Sequence, residues 1–183
     1  MEFLVGHAVL ELLKGDITQQ EVDGIVTAAN SRLAGGGGVD GAIHEEGGPV
    51  ILEELARRYP SGCPTGSAVI TGAGLLKAKF VIHAVGPGYL PHEREWSAGM
   101  LSRAYQSSLV LADEHGCRSI AFPAISTGVY RYPVVAAARV ALRAALDYLT
   151  SGSQLALVRW VLYNDMTFDA FAEAARDILG QPR

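Results

Sequence analysis

The chain has 183 residues, of which 49% are hydrophobic and 19% charged, the balance of one globular domain (1–183) long enough to bury a full core. A formal net charge of −4 removes the basic footprint that duplex nucleic acid or an anionic membrane requires, so a bound anion must be held by local backbone geometry. Uncharged apolar runs stop short of the ~20 residues of a membrane span, and the N-terminus lacks the basic stretch and cleavage site of a signal peptide. Cys63 and Cys117 show no motif spacing and are expected to be reduced, which with the missing signal points to a cytoplasmic protein.

Residues 8–14 (Ala-Val-Leu-Glu-Leu-Leu-Lys) read as a first strand, ending at Gly15-Asp16-Ile17-Thr18. The Asp16-x-Thr18 spacing fits a turn or cap in which the carboxylate ties its own backbone. A second strand covers 24–29 and is apolar enough to be buried on both faces. Beyond a glycine run, short helices are expected from Val39 and from Pro49, the latter carrying Ile51, Leu52 and Leu55 at helical spacing. Strands follow at 67–71 and 80–85, then a polar irregular stretch at 90–97 and a long helix at 98–115 closed by Gly116. A strand at 119–122 leads into Ser126-Thr127-Gly128-Val129-Tyr130, and Pro133 opens a helix through Leu149 with Arg139, Arg143 and Asp147 along its polar stripe. The last strand is placed at 155–163 and the last helix at 168–179, with 179–183 a frayed tail.

Strands alternating with helices predict a three-layer α/β/α sandwich around a largely parallel sheet. The first strand reaches the second with no intervening helix, so a mixed sheet is expected.

The stretch from Asn30 to His44 carries the chemistry. A buried strand ends at Asn30, four glycines follow (Gly35 to Gly38), and Val39-Asp40-Gly41-Ala42-Ile43-His44 opens a helix. Glycine permits φ > 0 and lets a ligand approach the backbone, while a helix N-terminus presents unpaired N–H groups and a positive dipole end. A flexible linker has no reason to sit between a buried strand and a helix. The G-x-G-x-x-G of Gly36 to Gly41 is a weak dinucleotide signal: the loop is too long for that turn, and no acidic residue closes a second strand about 20 positions on. A Walker loop lacks its Gly-Lys-Ser/Thr. The 126–130 segment repeats the logic of strand, small polar loop and helix start. Two anion-friendly loops on one sheet edge suit a diphosphate.

Gly15-Asp16-Ile17-Thr18, Val26-Thr27-Ala28-Ala29-Asn30, Gly35 to His44, Cys63-Pro64-Thr65-Gly66, Val81 to Pro87 and Ile125 to Tyr130 together resemble the macrodomain family, closest to its MacroD-type branch. The similarity runs through nearly the whole chain in order. It implies a macrodomain fold and a hydrolase that removes mono-ADP-ribose from acidic side chains of proteins and deacetylates O-acetyl-ADP-ribose, with no cofactor and a monomeric state expected. By the same resemblance, Asp16 and the Ile17 backbone hold adenine and Tyr163 stacks on it. Gly36, Gly37, Gly38 and Val39 wrap the diphosphate from one side, and Ser126, Thr127, Gly128 and Val129 from the other. Tyr130 packs on the distal ribose, while Asn30 and Asp40 hold that ribose and support hydrolysis. His44, four residues after Asp40, stands behind it, and His83 in an apolar strand is structural.

Two departures stand out. The family usually has Asn where this chain has Thr27, which either leaves loop bracing intact or lowers turnover. Asn164 stands where Asp is common. No H-x-x-x-H or C-x-x-C spacing suggests a metal. A non-catalytic reader of ADP-ribose and a phosphatase acting on ADP-ribose 1″-phosphate share the same expected pocket.

Overall fold

In the computed structural model, which describes all 183 residues, the apolar runs become the inner strands of one seven-stranded sheet. The elements are β1 (Glu2–Val5), β2 (Ala8–Lys14), a 3-10 turn (Ile17–Gln19), β3 (Gly24–Ala28), α1 (Gly38–Gly47), α2 (Val50–Arg58), β4 (Ala68–Gly72), β5 (Phe80–Ala84), α3 (Arg94–Glu114), β6 (Ser119–Phe122), α4 (Val134–Thr150), β7 (Leu157–Leu162) and α5 (Asp165–Leu179). Their order across the sheet is β1-β2-β7-β6-β3-β5-β4. The five central strands are parallel, and the inner three, β6, β3 and β5, are buried on both faces along most of their length. The sheet is mixed, but for a reason other than the one expected. The strand at 8–14 is parallel to β7, and the antiparallel pairs are the two edges, β1 on β2 and β4 on β5.

Helices α3, α4 and α5 cover one face and α1 and α2 the other, giving the three-layer α/β/α sandwich. The first face is sealed by Tyr105, Phe122, Trp160 and Phe171, which pack ring against ring with neighbouring centroids 5.1–6.1 Å apart. The second is built from Ile25, Ile43, Ile51, Leu55 and Val81. No helix is long and apolar enough to cross a membrane, and both cysteines are free and buried.

Most boundaries shift by one or two residues from the sequence reading, and three differences are larger. Residues 2–5 form β1, whose exposed–buried alternation is only four residues long and turns on Gly6 at φ +63°. Helix α3 begins four residues early because its first turn, Arg94-Glu95-Trp96-Ser97, is charged and lacks apolar periodicity, although Ser97 is fully buried. Helix α5 begins at Asp165 because Asn164 caps it, its side chain accepting from the Thr167 N–H at 2.9 Å.

The site-forming feature is the boundary between β6 and β3. The chain leaves β3 through α1 on one face and leaves β6 through α4 on the other, which opens a crevice beyond the carboxyl ends of these two strands.

Candidate functional site

Four predicted segments reach that edge in sheet order: Asp16-Ile17 after β2, Tyr163-Asn164 after β7, Ser126 to Tyr132 after β6, and Asn30 to His44 after β3. At one end, Asp16 is exposed and caps the 3-10 turn, with Oδ1 accepting from the Thr18 N–H (2.9 Å) and hydroxyl (2.7 Å). Its capping role is therefore real, and Oδ2 remains free. Ile17 is buried beside it. Tyr163 lies at the adjacent strand end with its ring 85% exposed, unusual for a large aromatic without a partner.

The loop after β3 is stapled by Asn30. Its Nδ2 donates to the Gly35 carbonyl (2.8 Å), and its Oδ1 accepts from the N–H groups of Arg32 (3.1 Å) and Ala34 (3.3 Å). Gly35 and Gly38 lie at φ +80° and +57°, conformations that disfavour a side chain. Helix α1 starts at Gly38 with no side-chain cap, so its first N–H groups face the crevice unpaired by any side chain. Gly36, Gly37 and Gly38 are exposed and Val39 half-buried.

The loop after β6 is held from below. Tyr105 on α3 donates its hydroxyl to the Pro123 carbonyl (3.2 Å) and accepts from the Ile125 N–H (3.0 Å). Ser126 is buried at φ +68°, and its hydroxyl has no partner. Thr127 turns its hydroxyl back onto the Ala124 carbonyl (2.8 Å), Gly128 is exposed, and Val129 projects at the tip, 92% exposed. Tyr130 is half-buried, its carbonyl accepting from the Tyr89 N–H (2.9 Å). A strained loop with an orphaned hydroxyl beside a bare helix N-terminus is organised for an anion.

Behind the glycine loop lies a buried polar network that the sequence did not reveal. Asp40 is only 5% exposed. Its Oδ1 accepts from the Thr27 hydroxyl at 2.8 Å and stands 3.4 Å from His44 Nε2. Its Oδ2 points the other way, 3.7 Å from where a Cβ on Gly36 would sit. One oxygen is anchored inward and the other faces the phosphate-type loop. The departure at Thr27 therefore supplies the donor that fixes Asp40. Thr27→Val keeps the shape and removes that donor. It is expected to cost about 1–3 kcal/mol in urea unfolding, and a loss below about 0.5 kcal/mol would mean the bond does not anchor the carboxylate.

Beneath His44, the imidazole of His83 stacks at 5.9 Å between ring centroids. His83 is fully buried, and desolvation, reinforced by His44 and opposed by Asp40 and Glu54, pushes it down to about 4 from an ordinary 6.5. The sign follows from linkage. Between those two values the unfolded chain takes up a proton that the folded chain refuses. The stability contributed is present above pH 6.5 and is lost as pH falls towards 4, in total roughly 3 kcal/mol. Urea midpoints in EDTA between pH 7 and 4.5 are expected to fall more steeply for wild type than for His83→Phe, and equal slopes would contradict the assignment.

The chain is similar to known proteins along most of its length. The family model described as Macro domain matches residues 26–141. The O-acetyl-ADP-ribose deacetylase of Salmonella gallinarum is 50% identical over 165 residues, covering 89% of this chain and 92% of that one. A structure of the Oceanobacillus iheyensis macrodomain with ADP superposes with a TM-score of 0.91 at 36% identity, covering 97% of this chain and 95% of that one. The Trypanosoma brucei macrodomain in complex with ADP-ribose superposes with a TM-score of 0.84 at 38% identity, covering 91% and 68%.

Proposed function

The chain belongs to the Macro domain family, and from that premise we propose that its crevice binds ADP-ribose and hydrolyses esters of it. The substrates in this reading are O-acetyl-ADP-ribose and proteins carrying mono-ADP-ribose on glutamate or aspartate, in a cytoplasmic setting. The relative named as a deacetylase at 50% identity supports ester hydrolysis, and the relatives with ADP and ADP-ribose support the ligand.

In this reading Asp16 accepts from the adenine amino group beside the Ile17 backbone, and Tyr163 closes on the base, which would account for its exposed ring. The N–H groups at Gly36 to Val39 hold one phosphate through the α1 dipole, and Ser126 to Val129 hold the other. Tyr130 packs on the distal ribose. Asn30 spends one amide proton on the loop and keeps the second for that ribose. Asp40 orients the attacking water with its outward oxygen, takes up its proton as the ester is attacked and returns it to the leaving oxygen; water and ester give ADP-ribose and the free carboxylic acid.

The observation that carries the proposal is the divided Asp40. A carboxylate fixed beside a diphosphate repels it, which a pure binding module has no reason to tolerate. Thr27, the departure expected either to brace the loop or to lower turnover, donates to the inner oxygen of that carboxylate. Three substrates offered in parallel test the reaction class: O-acetyl-ADP-ribose, ADP-ribose 1″-phosphate and ADP-ribose itself. Acetate release from the first without phosphate release from the second is expected. Phosphate release as the faster reaction would make the protein a phosphatase, and binding with no turnover would make it a reader.

A further inference from the structure

We propose that Asp40, His44 and His83 form a binding site for a divalent ion of the zinc class, buried immediately behind the glycine loop. One ligand atom from each residue lies within 4.8 Å of the other two. Asp40 and His44 sit one turn apart on α1, and His83 rises from β5, where it is paired with Thr27 of β3. The ligands thus come from two rigid elements.

The 3.4 Å between Asp40 Oδ1 and His44 Nε2 is long for a hydrogen bond. It matches the edge of a tetrahedron built on metal bonds of roughly 2.0–2.1 Å, an edge of about 3.3–3.4 Å, and the wider separations in the trio, up to 4.8 Å, shorten when the ion binds. Oδ1 has two lone pairs, and Thr27 uses one.

The proton on His83 is fixed by its neighbour. The Thr71 hydroxyl donates to the Gly72 carbonyl at 2.9 Å, so its oxygen accepts from His83 Nε2 at 2.9 Å. That leaves His83 Nδ1 as a bare lone pair, buried and without a partner. Orphaned buried nitrogens are rare because each costs about 1–3 kcal/mol. A neutral imidazole whose other nitrogen donates to a fixed oxygen is the posture of a metal ligand. Two imidazoles and one carboxylate suit zinc, cobalt or nickel far better than calcium or magnesium.

An ion on the inner oxygen of Asp40 draws negative charge away from the oxygen facing Gly36. Where the hydrolase reading holds, the ion therefore slows turnover reversibly. Ion binding itself does not depend on that reading.

The test uses the full chain stripped with a chelator and titrated with cobalt(II) chloride, followed by visible absorption and calorimetry. The expected result is one ion per chain with the intense absorption of four-coordinate cobalt, displaced by one equivalent of zinc. His83→Ala should abolish it. Thr71→Val, which keeps all three ligands and removes only the outer bond, should weaken it by about 10–100-fold. Circular dichroism on each variant reports folding, and if His83→Ala unfolds, Thr71→Val carries the test. Absence of stoichiometric cobalt absorption in wild type overturns the proposal. So does uptake at full affinity in Thr71→Val and in folded His83→Ala, the outcome expected if the exposed His7, His92 or His115 held the ion.

Discussion

Asp40→Asn is expected to lower kcat on O-acetyl-ADP-ribose by roughly 10²–10⁴-fold, the range for loss of a positioned acid or base. The Kd for ADP-ribose should rise by no more than about threefold, or fall, because the variant removes a negative charge from beside the diphosphate. The amide keeps an oxygen for the Thr27 hydroxyl, so the buried network should survive the change. Asp16→Ala is expected to do the reverse. It removes an exposed acceptor remote from the ester, raising Kd by about 10–100-fold, the worth of a hydrogen bond to a charged group, with kcat on bound substrate nearly unchanged. Calorimetry with ADP-ribose beside steady-state kinetics separates the two effects. Equal loss of affinity in both variants would sink the division of roles.

Gly41→Ala should weaken ADP-ribose binding by about 10–100-fold without touching any ligand-facing side chain. A Cβ there would lie 2.6 Å from the Gly36 carbonyl oxygen, so the helix and the glycine loop cannot keep their spacing. Such overpacking costs about 1–3 kcal/mol, and here it falls on the loop that holds the diphosphate in our reading. Gly99→Ala on α3 is the control. Nothing lies within 4 Å of its Cβ, and alanine in a helix should stabilise the fold by roughly 0.5–1 kcal/mol with Kd unchanged. If Gly41→Ala bound ADP-ribose like wild type, the glycine loop would not be the phosphate cradle.

These expectations rest on features of unequal visibility in the sequence. The inner strands were legible because burial on both faces forces continuous apolar runs, as at Ile25-Val26 and Val81-Ile82. The glycine loop and the Ser126 loop were legible because each joins a buried strand to a helix start, and the structure brings both to one crevice. The early start of α5 was readable from Asn164 as a cap, but the apolar pattern begins at Phe168 and drew the boundary there. The polar network was not legible. Thr27 stood out only as a departure, since its partner Asp40 lies beyond the loop and their contact depends on how α1 crosses β3. His83 read as a structural histidine in an apolar strand, and its neighbours Thr71 and His44 come from β4 and α1. Spacing rules for metal ligands look along one element and do not register three side chains brought together from two.

The most direct test of the central claim is release of ADP-ribose by the wild-type chain from a protein mono-ADP-ribosylated on glutamate, with free ADP-ribose measured by chromatography. Release is expected to continue over many turnovers until the modified protein is exhausted, leaving an unmodified glutamate. An adduct that stays intact at saturating protein, while calorimetry registers ADP-ribose binding, would contradict it and make this crevice a reader of the modification.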